Sequence, residues 1–168
     1  MTLRIVLVIL VCVALGVIES VVPFLFHLTA ARPDLLLIVV LYLALHDDVV
    51  EGAALSAAAG YLSDLTSATP AFLYTFLAVL TFVVVRLGGS ALKTEGGVQS
   101  AAVAFGASLV HSLIATLVFG FFTGAGFHLE IGSLLWSAIG TAIAAPIVFS
   151  ILRRLDAGFL HADTGGLH

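Results

Sequence analysis

Charged residues are scarce in this chain, and their scarcity excludes a soluble globular protein. Asp, Glu, Lys and Arg together make up 10% of the 168 residues, whereas soluble domains contain about 25%. Hydrophobic residues make up 61%, and the mean hydropathy is +1.24. Because a membrane-spanning helix needs about 20 apolar residues, this length has room for about six spans and no separate soluble domain. The composition therefore predicts an integral membrane protein.

Cysteine pairs and the sequence signatures of common enzymes are also missing. The single cysteine, Cys12, lies in the first apolar segment, so no disulfide framework can form. The chain contains no H-E-x-x-H, no G-x-S-x-G, no glycine-rich phosphate loop and no four-ligand metal spacing. Ser108 and His111 stand three residues apart, which fits helix packing better than a hydrolase. The net charge of -4 gives no reason to expect nucleic-acid binding. From the missing motifs and this charge we predict a protein that is not an enzyme and binds no cofactor, metal or nucleic acid.

Apolar segments predict six helices, over residues 4–22, 34–46, 50–64, 71–87, 98–122 and 131–152. The predicted fold is an all-α membrane protein, a compact bundle of about six transmembrane helices. It forms one domain over residues 1–155, followed by a polar, flexible tail over 156–168. The second and third segments are short for a span and could instead form a re-entrant pair. The first segment could be a cleavable signal peptide, although Glu19, Pro23 and His27 make a poor approach to a cleavage site.

Basic residues are distributed unevenly along the predicted helices. With the N-terminus in the cytoplasm, six spans leave only Arg32 outside. The residues then placed inside are Arg4, Arg86, Lys93, Arg153 and Arg154. This asymmetry follows the positive-inside rule and predicts that both termini are cytoplasmic. A four-span arrangement gives the same distribution, so loop charge does not distinguish the two.

Small residues recur every four positions in three of the predicted helices. In the third helix they are Gly52, Ser56 and Gly60, followed at the same spacing by Asp64. Membrane helices pack closely through small residues, because lipid provides no hydrophobic force for association. We therefore predict that helices 3, 5 and 6 form the interior and that helices 1, 2 and 4 face lipid or a partner. Alternatively, Ala, Ser and Gly are simply common in membrane helices.

Three acidic residues stand at predicted helix starts. Asp48 and Glu51 have the spacing of a capping box at the start of the third helix. Asp34 follows Pro33 in the first turn of the second helix, where the helix dipole favours an anion. Helix capping therefore accounts for Asp48 and Glu51, and the helix dipole accounts for Asp34.

Asp64 stands at the opposite end of its helix. The dipole disfavours an anion there, so Asp64 needs a compensating donor, or else it lies past the helix and caps the turn to Pro70. We hypothesise that it pairs with Arg32, the only basic residue predicted on that side, and that Asp34 shares this partner.

Two further polar residues lie within apolar helices. Glu19 stands near the outer end of helix 1, where we expect it to reach the membrane interface. His111 stands near the middle of helix 5, where it could relay protons or bind a ligand. The alternative is a neutral imidazole bonded to a hydroxyl or carbonyl of a neighbouring helix.

One stretch of the chain resembles a known family. The segment from Pro33 to Leu45, Gly52 after the acidic loop, and the segment Gly60-Tyr61-Leu62-Ser63-Asp64-Leu65 are similar to the core pattern of the rod shape-determining membrane protein family MreD. The resemblance covers about a third of the chain. The family often has glycine in the loop after this segment, where this chain has Thr69-Pro70-Ala71. The chain departs from the family pattern in this loop, and the difference bears on the conformation of the loop.

The resemblance implies a non-catalytic subunit of the rod complex, the elongasome, in the bacterial inner membrane. Such a subunit binds an MreC-like bitopic protein and, through it, an MreB-like cytoskeleton, a RodA-like glycosyltransferase and a penicillin-binding transpeptidase. Its role is to support cell shape and lateral peptidoglycan synthesis. The candidate structural or partner-interaction residues are Arg32, Pro33, Asp34, Gly52, Gly60 and Asp64.

A second class of protein has a similar size and helix number. Substrate-binding membrane subunits of vitamin transporters of the energy-coupling factor type are also small six-helix proteins. They tend to carry a small-xxx-small pair in helix 1, where this chain offers only Cys12, Gly16 and Ser20. Their ligand pocket requires convergent polar side chains at the outer face.

Overall fold

The computed structural model describes residues 2–26, 33–66, 72–88, 96–123 and 131–164. Within these ranges the chain is all helical, with six helices and no strand. The helices are α1 (Thr2–Phe26), α2 (Leu35–His46), α3 (Val49–Thr66), α4 (Leu73–Gly88), α5 (Gly97–Thr123) and α6 (Ile131–Thr164). The sequence-based prediction of six helices and of an all-α fold is therefore confirmed for the described part of the chain.

Two helices are long and apolar enough to cross a membrane, over Gly97–Val118 and Ile131–Ala157. Shorter apolar helical stretches occupy Ile5–Glu19, Leu35–His46 and Leu73–Gly88. The sixth helix extends beyond the predicted end at residue 152 and continues to Thr164. The first residues of the segment predicted to be a flexible tail are therefore helical.

Helix α2 is the centre of the structure. Every residue from Leu35 to Ala44 is buried, and none is more than 7% exposed. The prediction that helix 2 faces lipid or a partner is therefore wrong. With 12 residues, α2 is about 18 Å long, well short of the roughly 30 Å of hydrocarbon in a bilayer. It packs against α1, α3, α4 and α6, so neighbouring helices rather than lipid cover its apolar surface.

Helices α5 and α6 pack mainly on each other and remain exposed on their outer faces. Only 17% of the residues in the apolar stretch of α5 and 28% of those in the apolar stretch of α6 are buried. The expectation that both are interior helices is therefore also wrong. Some of the small residues of these helices do form their buried faces. In α5 these are Ser100, Ala104 and Ser108, and in α6 they are Thr141 and Ala145 at the same four-residue spacing, with Ala138 beside them. Small residues thus identify a contact face, but they do not identify the central helix.

Candidate functional site

The beginning of α2 is the point where polar side chains of several helices meet. Asp34 is the N-cap residue of α2, one position before the first helical turn in which the sequence placed it. Its Oδ1 accepts a hydrogen bond from Leu37 N at 2.8 Å, which satisfies one of the unpaired amides at the helix start. Its own backbone N donates to Thr141 Oγ1 at 3.0 Å. Asp34 therefore fixes the start of α2 and joins it to α6.

Glu19 of α1 is directed to the same helix start. Its Oε2 accepts a hydrogen bond from Leu35 N at 3.2 Å, the first amide of α2. Glu19, which the sequence predicts to reach the membrane interface, thus makes a contact between α1 and α2. Two carboxylates thus bind amides at the positive end of the α2 dipole, where negative charge is favoured.

His111 of α5 lies between Asp34 and α4. Its Nε2 is 3.6 Å from Asp34 Oδ2, and its Nδ1 is 3.3 Å from Thr81 Oγ1. Because a carboxylate only accepts hydrogen bonds, this geometry suits a proton on Nε2 facing Asp34 and an Nδ1 that accepts from the Thr81 hydroxyl. The ring of Tyr74 stacks on the imidazole at a centroid distance of 6.5 Å. The contact with Thr81 agrees with one of the two interpretations of His111 from the sequence, a bond to a hydroxyl of a neighbouring helix.

These side chains border a cavity of about 310 Å³. All six helices contribute to its lining, and α3 and α4 supply part of its wall through Gly60, Tyr74 and Ala78. The polar members of the lining are Glu19, Asp34, Ser63, Tyr74, His111, Ser112, Thr116 and Ser137. A quarter of the Asp34 side-chain surface remains accessible, so the cavity is not sealed. We call this space the Asp34 cavity, and the end of the bundle that contains it the Asp34 end.

Asp64 joins α3 to α4 at the same end of the bundle. It lies within the last turn of α3, where its Oδ1 accepts from Tyr74 N at 2.8 Å and its Oδ2 from Thr75 N at 3.0 Å. Thr75 Oγ1 also donates to Oδ2, at 2.6 Å. The compensating donors required for Asp64 are therefore the first amides of α4. Arg32, the partner hypothesised from the sequence, lies outside the described residues.

The remaining candidate residues lie at close contacts between helices. A Cβ added to Gly60 would stand 2.6 Å from Thr75 Cα and 2.6 Å from Tyr74 O, so the α3–α4 contact has room only for glycine. A Cβ on Gly52 would stand 2.6 Å from the Phe82 ring. Pro33 packs against Gly140 of α6, with 3.5 Å between its Cβ and a Cβ added there.

The opposite end of α2, which we call the His46 end, carries contacts that sequence reasoning did not assign. Arg86 Nη1 donates to Ala44 O at 3.1 Å and to Asp47 O at 2.8 Å, which satisfies carbonyls at the end of α2. Tyr42 donates its hydroxyl to Asp156 Oδ2 at 2.6 Å and stacks on His46 at a centroid distance of 4.4 Å. Two features of the sequence could have indicated these contacts. Arg86 is a lone arginine in the last turn of the apolar helix α4, and Tyr42 is a tyrosine in the apolar helix α2, whose hydroxyl needs a partner.

A second, apolar space lies between α4 and α5 and measures about 540 Å³. Residues such as Val84, Val103 and Val110 line it, and His111 contributes to the lining of both spaces. Within the part of the chain that the structure describes, no three His, Cys, Asp or Glu side chains are grouped so as to hold a metal ion.

Comparison with known families assigns the chain. The family model described as rod shape-determining protein MreD matches residues 1–155. The chain belongs to the MreD family. Membership implies a role in determining rod shape, and together with the two candidate spans it indicates a membrane protein. The resemblance noted between Pro33 and Leu65 therefore extends over residues 1–155 of the chain. No curated protein and no solved structure matches it.

Proposed function

We propose that this MreD-family chain is a non-catalytic, multi-pass subunit of the rod complex in the bacterial inner membrane. In this role it binds an MreC-like bitopic protein and thereby supports lateral peptidoglycan synthesis by the associated enzymes. We also propose that all six helices cross the bilayer, with both termini in the cytoplasm. The Asp34 end then faces outwards, on the side where a partner with a large external domain would stand.

The Asp34 cavity is the observation that carries this proposal. Every helix contributes to its lining, so a partner group bound there would contact the whole bundle at once. Several of its polar side chains also stabilise the bundle, because Asp34 and Glu19 bind amides of α2 and His111 contacts Asp34 and Thr81. That arrangement favours binding over chemical turnover.

Copurification tests the proposal. The full chain, carrying an affinity tag and coexpressed with an MreC-like protein, should retain that protein after solubilisation in detergent. The variant Tyr61→Ala, which removes an exposed side chain of α3, serves as a control that leaves the cavity lining intact. Loss of the partner from the wild-type chain under all mild detergents would contradict the proposal.

The vitamin-transporter alternative is favoured by the same cavity, because a polar space of about 310 Å³ lies at the small end of ligand-binding pockets. Thermal unfolding in the presence of individual vitamins distinguishes the two functions. A saturable rise in the unfolding temperature with one vitamin, without retention of an MreC-like protein, would favour the transporter subunit.

A further inference from the structure

The exposed apolar surface of the bundle is long on α5 and α6. Its large apolar side chains run from Val98 to Phe121 on α5, 23 positions apart, and from Ile131 to Ile151 on α6, 20 positions apart. At a rise of about 1.5 Å per residue, these surfaces are about 35 Å and about 30 Å long. Both lengths match the roughly 30 Å of hydrocarbon in a typical bilayer. The α5–α6 side therefore fits an undistorted bilayer.

The helix pair α3–α4 presents a shorter apolar surface. Its exposed large apolar side chains run from Val49 to Leu65 on α3, 16 positions apart, and from Phe72 to Leu87 on α4, 15 positions apart. The corresponding lengths are about 24 Å and about 22 Å. Tilt cannot correct a helix that is too short, because tilting reduces the height that the helix spans. This surface is therefore about 6–8 Å shorter than the hydrocarbon layer.

Polar and aromatic residues limit the short surface at its ends. Asp48 is exposed directly before Val49, so the apolar surface of α3 cannot begin earlier. At the opposite end of α3, the ring of Tyr61 stacks on Phe72 at a centroid distance of 6.4 Å, and these side chains are 48% and 64% exposed. Tyrosine is enriched at membrane interfaces. Between Leu65 and Phe72 the sequence contains only Thr, Ser, Ala and Pro, so this corner adds no large apolar side chain.

The chemistry of the α3–α4 face favours lipid of matching length. Between its ends it exposes apolar side chains such as Phe76, Val83 and Val84, which acyl chains cover without any polar partner. If the bilayer kept its full thickness beside this face, an end such as exposed Asp48 would lie in hydrocarbon, where a carboxylate is costly. A thinner lipid layer avoids that cost, and local thinning is a known response to a short span.

We propose that the α3–α4 face is a lipid-binding surface that favours phospholipids with short acyl chains and locally thins the bilayer. The α5–α6 side, in contrast, accepts a bilayer of ordinary thickness. This inference rests on the six-span arrangement in the proposed function and adds the class of lipid that one side of the bundle favours. It does not depend on the MreC-like partner.

Quenching of tryptophan fluorescence by brominated lipid measures the preference at each face separately. The single tryptophan, Trp136, is 60% exposed on α6. In the double variant Trp136→Phe, Phe76→Trp, the tryptophan lies instead on α4, at a position that is 58% exposed. Each full chain is reconstituted in dibrominated dioleoyl phosphatidylcholine mixed with either the shorter dimyristoleoyl or the longer dierucoyl lipid. The ratio of short-chain to long-chain lipid binding should be about threefold or more higher at α4 than at α6.

The other outcomes separate this inference from the proposed function. Equal ratios at the two positions, or a preference for the long-chain lipid at α4, would overturn the inference alone. Quenching at α6 without quenching at α4 would show that protein, such as a second copy of the chain, covers the α3–α4 face, which also overturns it. Absence of quenching at both positions would contradict the six-span arrangement and the inference together. Failure to retain an MreC-like protein contradicts only the proposed partner.

Shortening the surface of α4 tests whether its length sets the preference. Leu87→Ser removes an apolar side chain that is 80% exposed and leaves Val84 as the last one, about 4–5 Å earlier. With the tryptophan on α4, this change should raise the ratio of short-chain to long-chain binding by about twofold. Val98→Ser, at a position of α5 that is 85% exposed, is the matched control and should leave the ratio unchanged. No change in Leu87→Ser, or the same change in Val98→Ser, would overturn the proposal.

Discussion

At both ends of α2, charged side chains pair with backbone groups that have no partner within the helix, and the charges at the two ends are opposite. At the Asp34 end, Asp34 and Glu19 accept hydrogen bonds from the first amides of the helix. At the His46 end, Arg86 donates to carbonyls of the last turn and of the C-cap residue Asp47. Each arrangement places the charge that the helix dipole favours. A helix that is apolar over most of its length is thus held in the interior by polar residues that belong largely to its neighbours.

The ends differ in what remains after the helix is capped. At the His46 end, Tyr42, His46 and Phe149 pack their rings together, and Tyr42 binds Asp156. At the Asp34 end, a cavity persists beside the capping groups. Buried polar residues in a membrane bundle can therefore be explained first as helix caps, and the space left beside them marks the candidate site.

The largest expected change in the free energy of unfolding is at Gly60, one of two glycines of α3 that face α4; the other is Gly52. Gly60→Ala should lower the free energy of unfolding by about 3 kcal/mol, because the added Cβ meets backbone atoms of α4 that cannot move alone. Gly52→Ala should cost about 1–2 kcal/mol, because it meets the Phe82 ring, whose side chain can shift in part. Equilibrium unfolding in detergent measures both. Gly106→Ala, where a Cβ meets no atom within 4 Å, is the control, and equal losses at Gly52 and Gly60 would contradict the comparison.

Arg86 tests the His46 end. Arg86→Met keeps much of the side-chain volume and removes the donors to Ala44 O and Asp47 O. We expect a loss of about 2–3 kcal/mol in the free energy of unfolding, because hydrogen bonds from a charged group are lost and carbonyls are left unsatisfied. The exposed Arg153→Met should change it by less than about 0.5 kcal/mol. A similar small change at both positions would show that α2 does not depend on Arg86.

Asp64 tests the joint between α3 and α4. Asp64→Ala removes the acceptor for Tyr74 N and Thr75 N and should cost about 1–2 kcal/mol, similar to the loss of an N-cap side chain, because amides of the first turn of α4 lose their acceptor. Asp64→Asn keeps one oxygen acceptor and should cost less. Amide hydrogen exchange at the start of α4 provides the local readout, and unchanged protection of Tyr74 and Thr75 in Asp64→Ala would contradict this role.

The smallest expected effect concerns the bond between α2 and α6. Thr141→Val preserves shape but removes the acceptor for Asp34 N, which should cost about 1 kcal/mol. Thr116→Val removes only a bond to Ser112 O within α5 and should cost less. The two variants are compared by the same unfolding measurement. A larger loss in Thr116→Val would contradict the role given to Thr141.

The helices and the start of α2 near Asp34 were predictable because their signals are local. Asp34 after Pro33 indicates a helix start, and the glycine spacing of α3 indicates a close contact. The burial of α2 was not predictable, because a helix that is apolar on every side has the same pattern whether lipid or protein surrounds it. The bond from Asp34 to Thr141 joins residues 107 positions apart and leaves no mark on either local sequence. The convergence of Glu19, Asp34 and His111 required the three-dimensional arrangement.

The position of His111 at the border of both spaces has a consequence for what reaches the carboxylates. On one side of the imidazole lie acidic and hydroxyl groups, and on the other lies a groove suited to hydrocarbon. A smaller residue there would join the space lined by acidic and hydroxyl groups to the apolar space and give apolar groups access to Asp34. The His111 ring thus forms the partition between the two spaces.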